Sequence, residues 1–111
     1  DMADVLIARV IAHYEKQCEE FPKSALLHNN LAWAMARCHR SLDKALVHAE
    51  KAVAFQPDNA GHIDTLAEVH FHRGDRHAAI HYSERAVSLL PLNERLQQQL
   101  ARFRTAPLPK L

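Results

Sequence analysis

Apolar residues recur at helical spacing along almost the whole chain, interrupted by prolines, a glycine and capping residues. A first helix is expected from Met2 to Glu20, ended by Phe21-Pro22. Ser24 caps a second, Ala25 to Arg37, and Ser41 caps a third, Leu42 to Phe55. Asp58 or Asn59 caps a fourth, Ala60 to Arg73, which Gly74 stops in a left-handed conformation. Asp75 caps a fifth, Arg76 to Leu89, and Asn93 a sixth, Glu94 to Arg104. The segment 106–111, with two prolines, reads as a flexible tail. The pattern is all-α with about six helices.

The two ends differ in polarity. In the sixth helix Leu96, Leu100 and Phe103 form one stripe, and Gln97, Gln98, Gln99, Arg102 and Arg104 cover the rest, as a solvent-facing cap requires. In the first helix Val5, Leu6, Ile7, Val10, Ile11 and Tyr14 exceed what a one-sided helix buries. They are expected to pack on the next hairpin and on one another, or against upstream chain or a second copy, which makes them candidates for self-association as a homodimer. The amino end thus reads as cut or shared and the carboxyl end as a terminus.

The helices repeat. Val10 to Cys18, Ala45 to Val53 and Ala79 to Val87 align, with Glu15-Lys16, Glu50-Lys51 and Glu84-Arg85 at one register and Pro22, Pro57 and Pro91 beyond. Between them stand Leu31-Ala32, Leu66-Ala67 and Leu100-Ala101. Leu31 to Leu66 is 35 residues, whereas Leu66 to Leu100, Ala45 to Ala79 and Pro57 to Pro91 are each 34. The extra residue belongs in the turn Cys38-His39-Arg40-Ser41, where a loop absorbs it.

This pattern resembles the tetratricopeptide repeat, whose period is 34 and whose pattern is W-x2-L-G-x2-Y, A-x3-F, P. One copy reads His28-x2-Leu31-Ala32-x2-Met35, Ala45-x3-Ala49, Ala52, Pro57; the next reads Ile63-x2-Leu66-Ala67-x2-His70, Ala79-x3-Ser83, Ala86, Pro91. No Trp opens a repeat, Ala replaces Gly, and small residues replace Phe. The resemblance covers nearly the whole chain. It implies a right-handed α-solenoid of antiparallel helical hairpins in one domain, 1–105: a half repeat 1–22, full repeats 25–58 and 60–92, and a capping helix 93–105. Ala32 and Ala67 would face Ala45 and Ala79 inside their hairpins, and Ala52 and Ala86 would admit the next helix.

Composition narrows the function classes. A formal charge of +1 removes the basic face that nucleic acid needs. No apolar run approaches the roughly 20 residues of a membrane span. The sequence shows no Gly-rich phosphate loop, nucleophile elbow or HExxH, so no catalytic residues and no cofactor are expected. Cys18 and Cys38 lack CxxC or metal-type spacing and read as small apolar helix residues. The missing disulfide framework favours a reducing compartment and a cytoplasmic location, although a chain that opens on Asp1 gives little weight to the missing signal peptide.

By the resemblance, a protein or peptide partner lies on the concave surface formed by the first helix of each hairpin. That surface comprises Asn29, Asn30, Trp33 and Arg37, then Asp64, Thr65, Glu68, Phe71 and His72, with Arg95, Gln98, Gln99 and Arg102 from the cap. Trp33 follows the buried Leu31-Ala32 pair and should lean into the groove as an anchor. Carboxylate-clamp members of the family, which hold acidic chaperone C-termini, use Lys and Asn along the first groove helix. Here Asn29 and Trp33 stand at those places without a Lys, so a clamp of that kind is not expected. Among the nine histidines, His77 and His81 share a helix face at metal-ligand spacing but lack a third ligand, so no metal-site residues are assigned and histidine-mediated metal binding stands as the weaker, third reading of function. His70 stands where the family pattern has an aromatic, which gives it a packing role.

Overall fold

The computed structural model describes residues 1–110; Leu111, the end of the expected tail, lies outside the described residues. Six helices run along the chain: α1 (Met2–Glu20), α2 (Ala25–Arg37), α3 (Leu42–Phe55), α4 (Ala60–His72), α5 (Arg76–Leu89) and α6 (Glu94–Thr105). α4 stops one residue earlier and α6 runs one residue further than the pattern predicts, within the usual fraying of helix ends.

Local chemistry explains most boundaries. Ser24 Oγ accepts from the Leu27 amide at 3.2 Å, and Asn59 Oδ1 from His62 at 3.1 Å. Asp75 and Asn93 cap α5 and α6 in the same way, at 3.0 Å each. Each such cap contributes about 1 kcal/mol. Ser41 is different: its φ is 50°, and its side chain makes no capping bond. The reason is the extra loop residue, which brings the chain into α3 in a left-handed conformation that the three-residue turn into α5 avoids. The two turns otherwise begin alike. The His39 and Gly74 amides donate to Ala36 and Phe71 at 3.0 Å each, and Arg40 and Asp75 reach back to Met35 and His70 at 2.8 and 2.9 Å. His39 and Gly74 thus hold the same left-handed position, with φ of 53° and 85°.

The helices pair in sequence as antiparallel hairpins, with α2 and α4 also packed side by side. α2, α4 and α6 form one layer, and α1, α3 and α5 the other. The layers approach closely because the contact positions are alanine: Ala32, Ala45, Ala49, Ala52, Ala67, Ala79 and Ala86 are fully buried. Leu31, Met35, Leu66 and Val69 fill the space between α1 and the hairpins, while Phe71 and Phe103 close the far end with Ala67 and Ala79. In α6 Leu96 and Phe103 are buried and Leu100 is half-buried. The tail starts anchored: Arg76 donates to the carbonyls of Phe103 and Ala106 at 2.7 Å each.

α1 is apolar on more than one face. Ile11 is buried, and Ile7 and Tyr14 pack against the core, but Val5, Leu6 and Val10 are exposed. No helix of the described residues is long and apolar enough to cross a membrane.

Candidate functional site

A pocket of about 470 Å³ opens where α1, α2, α4 and α6 meet. Tyr14, Asn29, Asn30 and Trp33 line one side; Asn59, Gly61, His62, Asp64, Thr65 and Arg95 line the other. Helical spacing brings Asn29, Asn30 and Trp33 to one face of α2, and the neighbouring α4 supplies Asp64 and Thr65 at the equivalent turn.

Among the described residues, Asn29 Oδ1, His62 Nδ1 and Asp64 Oδ1 of these lining side chains are buried with no hydrogen bond of good geometry, although Gln99 lies near the Asp64 carboxyl and the Ala52 backbone near His62. A buried polar group left unmatched costs about 1–3 kcal/mol, so three around one pocket form a concentrated liability. Burial also raises the Asp64 carboxyl above its usual range, against the pull of Arg95 at 3.2 Å. Burial lowers His62. Thr65 Oγ1 donates back to the Gly61 carbonyl at 3.2 Å and is satisfied within its helix.

Trp33 is 52% exposed, and the Arg37 guanidinium lies 5.8 Å from its ring centroid. Its other flank borders a cleft of about 200 Å³ with apolar walls, formed with Leu6, Ile7, Val10 and Ile11 of α1. Trp33 therefore divides a polar pocket from an apolar one.

Further along the groove the surface is already engaged. Glu68 is 1% exposed and bonds to Arg102, to His72 Nε2 at 3.1 Å, and to Arg37 and Gln99 at 3.5 Å each. Burial raises its pKa, but the His72 and Arg102 hydrogen bonds and the Arg102 charge outweigh burial and hold it at about 2. His39 extends the chain, 3.1 Å from His72 between their Nδ1 atoms. Phe71, expected on the groove wall, is instead buried against Phe103 at 5.1 Å, with Arg102 over it at 5.2 Å. The cap helix covers this stretch, so Glu68, Phe71 and His72 hold the fold together there, and Gln98 lies outside the pocket. Tyr14, Asn59, Gly61 and His62, absent from the sequence-based groove, also line the pocket, because it reaches α1 and the turn before α4 as well as the groove helices.

The histidines sort by neighbour. His77 and His81 are exposed and, among the described residues, are not drawn together with a third ligand. His70 stacks on Tyr82 at 5.4 Å and 6°, the packing role its position suggests, and burial lowers its pKa. Among the described residues, the group that converges is Cys18, His28 and His48.

The second TPR domain of the human RPAP3 protein, solved in complex with the HSP70 peptide SGPTIEEVD, superposes with a TM-score of 0.79 over 94% of this chain and 86% of that one, at 17% identity. The fold is that of the tetratricopeptide repeat. The Hsp70-Hsp90 organizing protein of Triticum aestivum is 35% identical over 89 residues, which is 80% of this chain and 15% of that protein's length. No family model matches the chain. Its two tetratricopeptide hairpins depart from the usual pattern at the opening Trp, the Gly and the Phe of each repeat, as noted above.

Proposed function

We propose that this tetratricopeptide domain is a non-enzymatic interaction module that holds an extended peptide in the pocket between α2 and α4, across Trp33. Trp33, 52% exposed at the mouth of a pocket lined by Asn29, Asn30, Asp64, Thr65 and Arg95, carries this reading. An extended peptide brings regularly spaced amides and carbonyls to these polar side chains, and one apolar side chain to the Trp33 ring. The similar proteins are in keeping with it: one is a chaperone-organizing protein, and the other was solved with a peptide bound.

Trp33 is the only Trp in the chain, so its fluorescence reports on this groove alone. Peptides selected by display on the wild-type domain are expected to shift Trp33 emission and to lose at least tenfold in affinity to Asn29→Ala and Arg95→Ala. Peptides that bind Trp33→Ala as well as wild type would overturn the reading. SGPTIEEVD is a defined probe. With Asn29 and Trp33 where a clamp has Lys and Asn, amidating its C-terminus is expected to change its affinity by less than about threefold, a sub-kcal/mol difference.

A second reading rests on exposed Val5, Leu6 and Val10: a copy of the chain, or upstream sequence, covers this face. A monomer by light scattering at high concentration would remove self-association.

A further inference from the structure

We propose that Cys18, His28 and His48 form a site for a thiophilic divalent metal ion of the zinc class, clamping α1 to the first hairpin. The site is separate from the peptide groove and does not depend on that reading.

The three ligand atoms come from three helices and lie within 4.8 Å of one another. Tetrahedral zinc with bonds of about 2.0–2.3 Å places its ligands about 3.3–3.7 Å apart, so small side-chain shifts complete the geometry. His28 Nδ1 and His48 Nδ1 face each other at 2.9 Å, with the rings stacked at 5.1 Å and 22°. His28 Nε2 lies 2.7 Å from the Pro22 carbonyl. A carbonyl only accepts, so Nε2 carries the proton, and the His28 Nδ1 lone pair points at the cluster. This is how metal-bound imidazoles are usually held, with the far nitrogen donating to a backbone carbonyl. His28 is 3% exposed and Cys18 is 6%, whereas His48 sits at the edge of an open cleft of about 230 Å³. Glu15, Glu19 and Lys51 share that cleft, whose open side admits a water to the fourth position.

The repeat supplies an independent argument. At the same register one hairpin later, Cys18, His28 and His48 correspond to Val53, Ile63 and Tyr82. Those three pack together in an ordinary apolar cluster with Ala60, Ala86 and Leu96. The solenoid therefore does not need polar side chains here, yet the first copy places three metal-binding types at one point. Binding balances simply: Cys18 releases its thiol proton to solvent, and His48 moves its proton from Nδ1 to Nε2, so one proton leaves per ion.

The test uses the untagged full chain, stripped with chelator and titrated with Co²⁺. One equivalent is expected to give the near-ultraviolet thiolate-to-cobalt band and the visible bands of a tetrahedral site, both displaced by Zn²⁺. Cys18→Ser removes the near-ultraviolet band and His48→Gln weakens binding at least tenfold, while Cys38→Ser and His77→Ala with His81→Ala leave both unchanged. Zn²⁺ raises the melting temperature of wild type but not of His48→Gln, a half-exposed position whose substitution leaves the fold intact. Absence of the thiolate band at equimolar Co²⁺, its persistence in Cys18→Ser, or its dependence on His77 and His81 would overturn the proposal.

Discussion

The two full hairpins share a backbone plan but spend their equivalent positions differently. Trp33 of α2 is half in solvent, while its counterpart Glu68, 35 residues on, is a fully buried carboxylate. Ala36 corresponds to Phe71, and the added bulk in the second hairpin is matched by Phe103 of α6. The difference follows from neighbours. α4 lies between α2 and α6, so its groove face is covered by Arg37 on one side and Arg102 on the other. α2 has α1 crossing beside it, which leaves Trp33 at the mouth of two pockets. The first hairpin therefore leaves this surface open, where the proposed groove lies, and the second uses the same surface for cohesion.

The largest test of that contrast removes the buried charge. Glu68→Gln leaves Arg102 without its ion pair, and breaking a buried pair costs about 3–5 kcal/mol, at the low end here because Arg102 is partly solvated. Trp33→Ala should cost less than about 1 kcal/mol, the scale of an exposed cation–π contact with little packing. Urea unfolding of both variants reads the gap; equal losses would mean the two hairpins are not divided as described. The loss in Glu68→Gln also has a pH signature. Glu68 is held at about 2 against an ordinary 4.5, so the folded state gains from its ionisation. That gain is complete above pH 4.5 and disappears as pH falls toward 2, so the wild-type and Glu68→Gln stability curves converge over that window.

A second experiment transplants one hairpin's residues into the other. Cys18→Val, His28→Ile and His48→Tyr together give the first hairpin the apolar wedge of the second. In chelator this triple variant is expected to be as stable as wild type or up to about 2 kcal/mol more stable, since exchanging buried polar groups for apolar ones of similar size is neutral to favourable. Denaturant midpoints measure it. A loss above about 2 kcal/mol would show that the His28–His48 pair and the Pro22 bond are needed for packing even without metal.

These contrasts were unequally legible in the sequence. Helix positions came through because most boundaries have a local chemical cause, such as Asn93 before α6 or Pro57 after α3; Ser41 before α3 is the exception, with no capping bond. The alanine contacts came through because only small residues repeat there. Phe71 did not: its place on the groove face of α4 is correct by periodicity, but burial by α6 is a tertiary fact that no local pattern contains. Asn59 and His62 were missed for the same reason, since the pocket they line is assembled from four helices that no local pattern brings together. Cys18, His28 and His48 are separated by 10 and 20 residues on three helices, so no spacing motif marks them. Their signal lay in the repeat itself, where aligning the copies sets three chemically unusual residues against Val53, Ile63 and Tyr82.

The smallest test concerns the two turns. Gly74 and His39 hold the same left-handed position, and only glycine does so without strain from a side chain. Gly74→Ala is expected to lower stability by about 1 kcal/mol. His39→Gly removes the corresponding strain in the first hairpin, but it also removes the 3.1 Å contact with His72 that extends the chain to Glu68. A net change of less than about 0.5 kcal/mol is therefore expected, because a surface-linked hydrogen bond and a single left-handed residue are of similar size. Pairing His39→Gly with His72→Ala separates the two: with the bond already gone, the glycine should stabilise by about 1 kcal/mol relative to His72→Ala alone. Thermal denaturation of the four variants decides it. If the double variant gains nothing over His72→Ala, then His39 is unstrained at its positive φ and the two turns are equivalent after all.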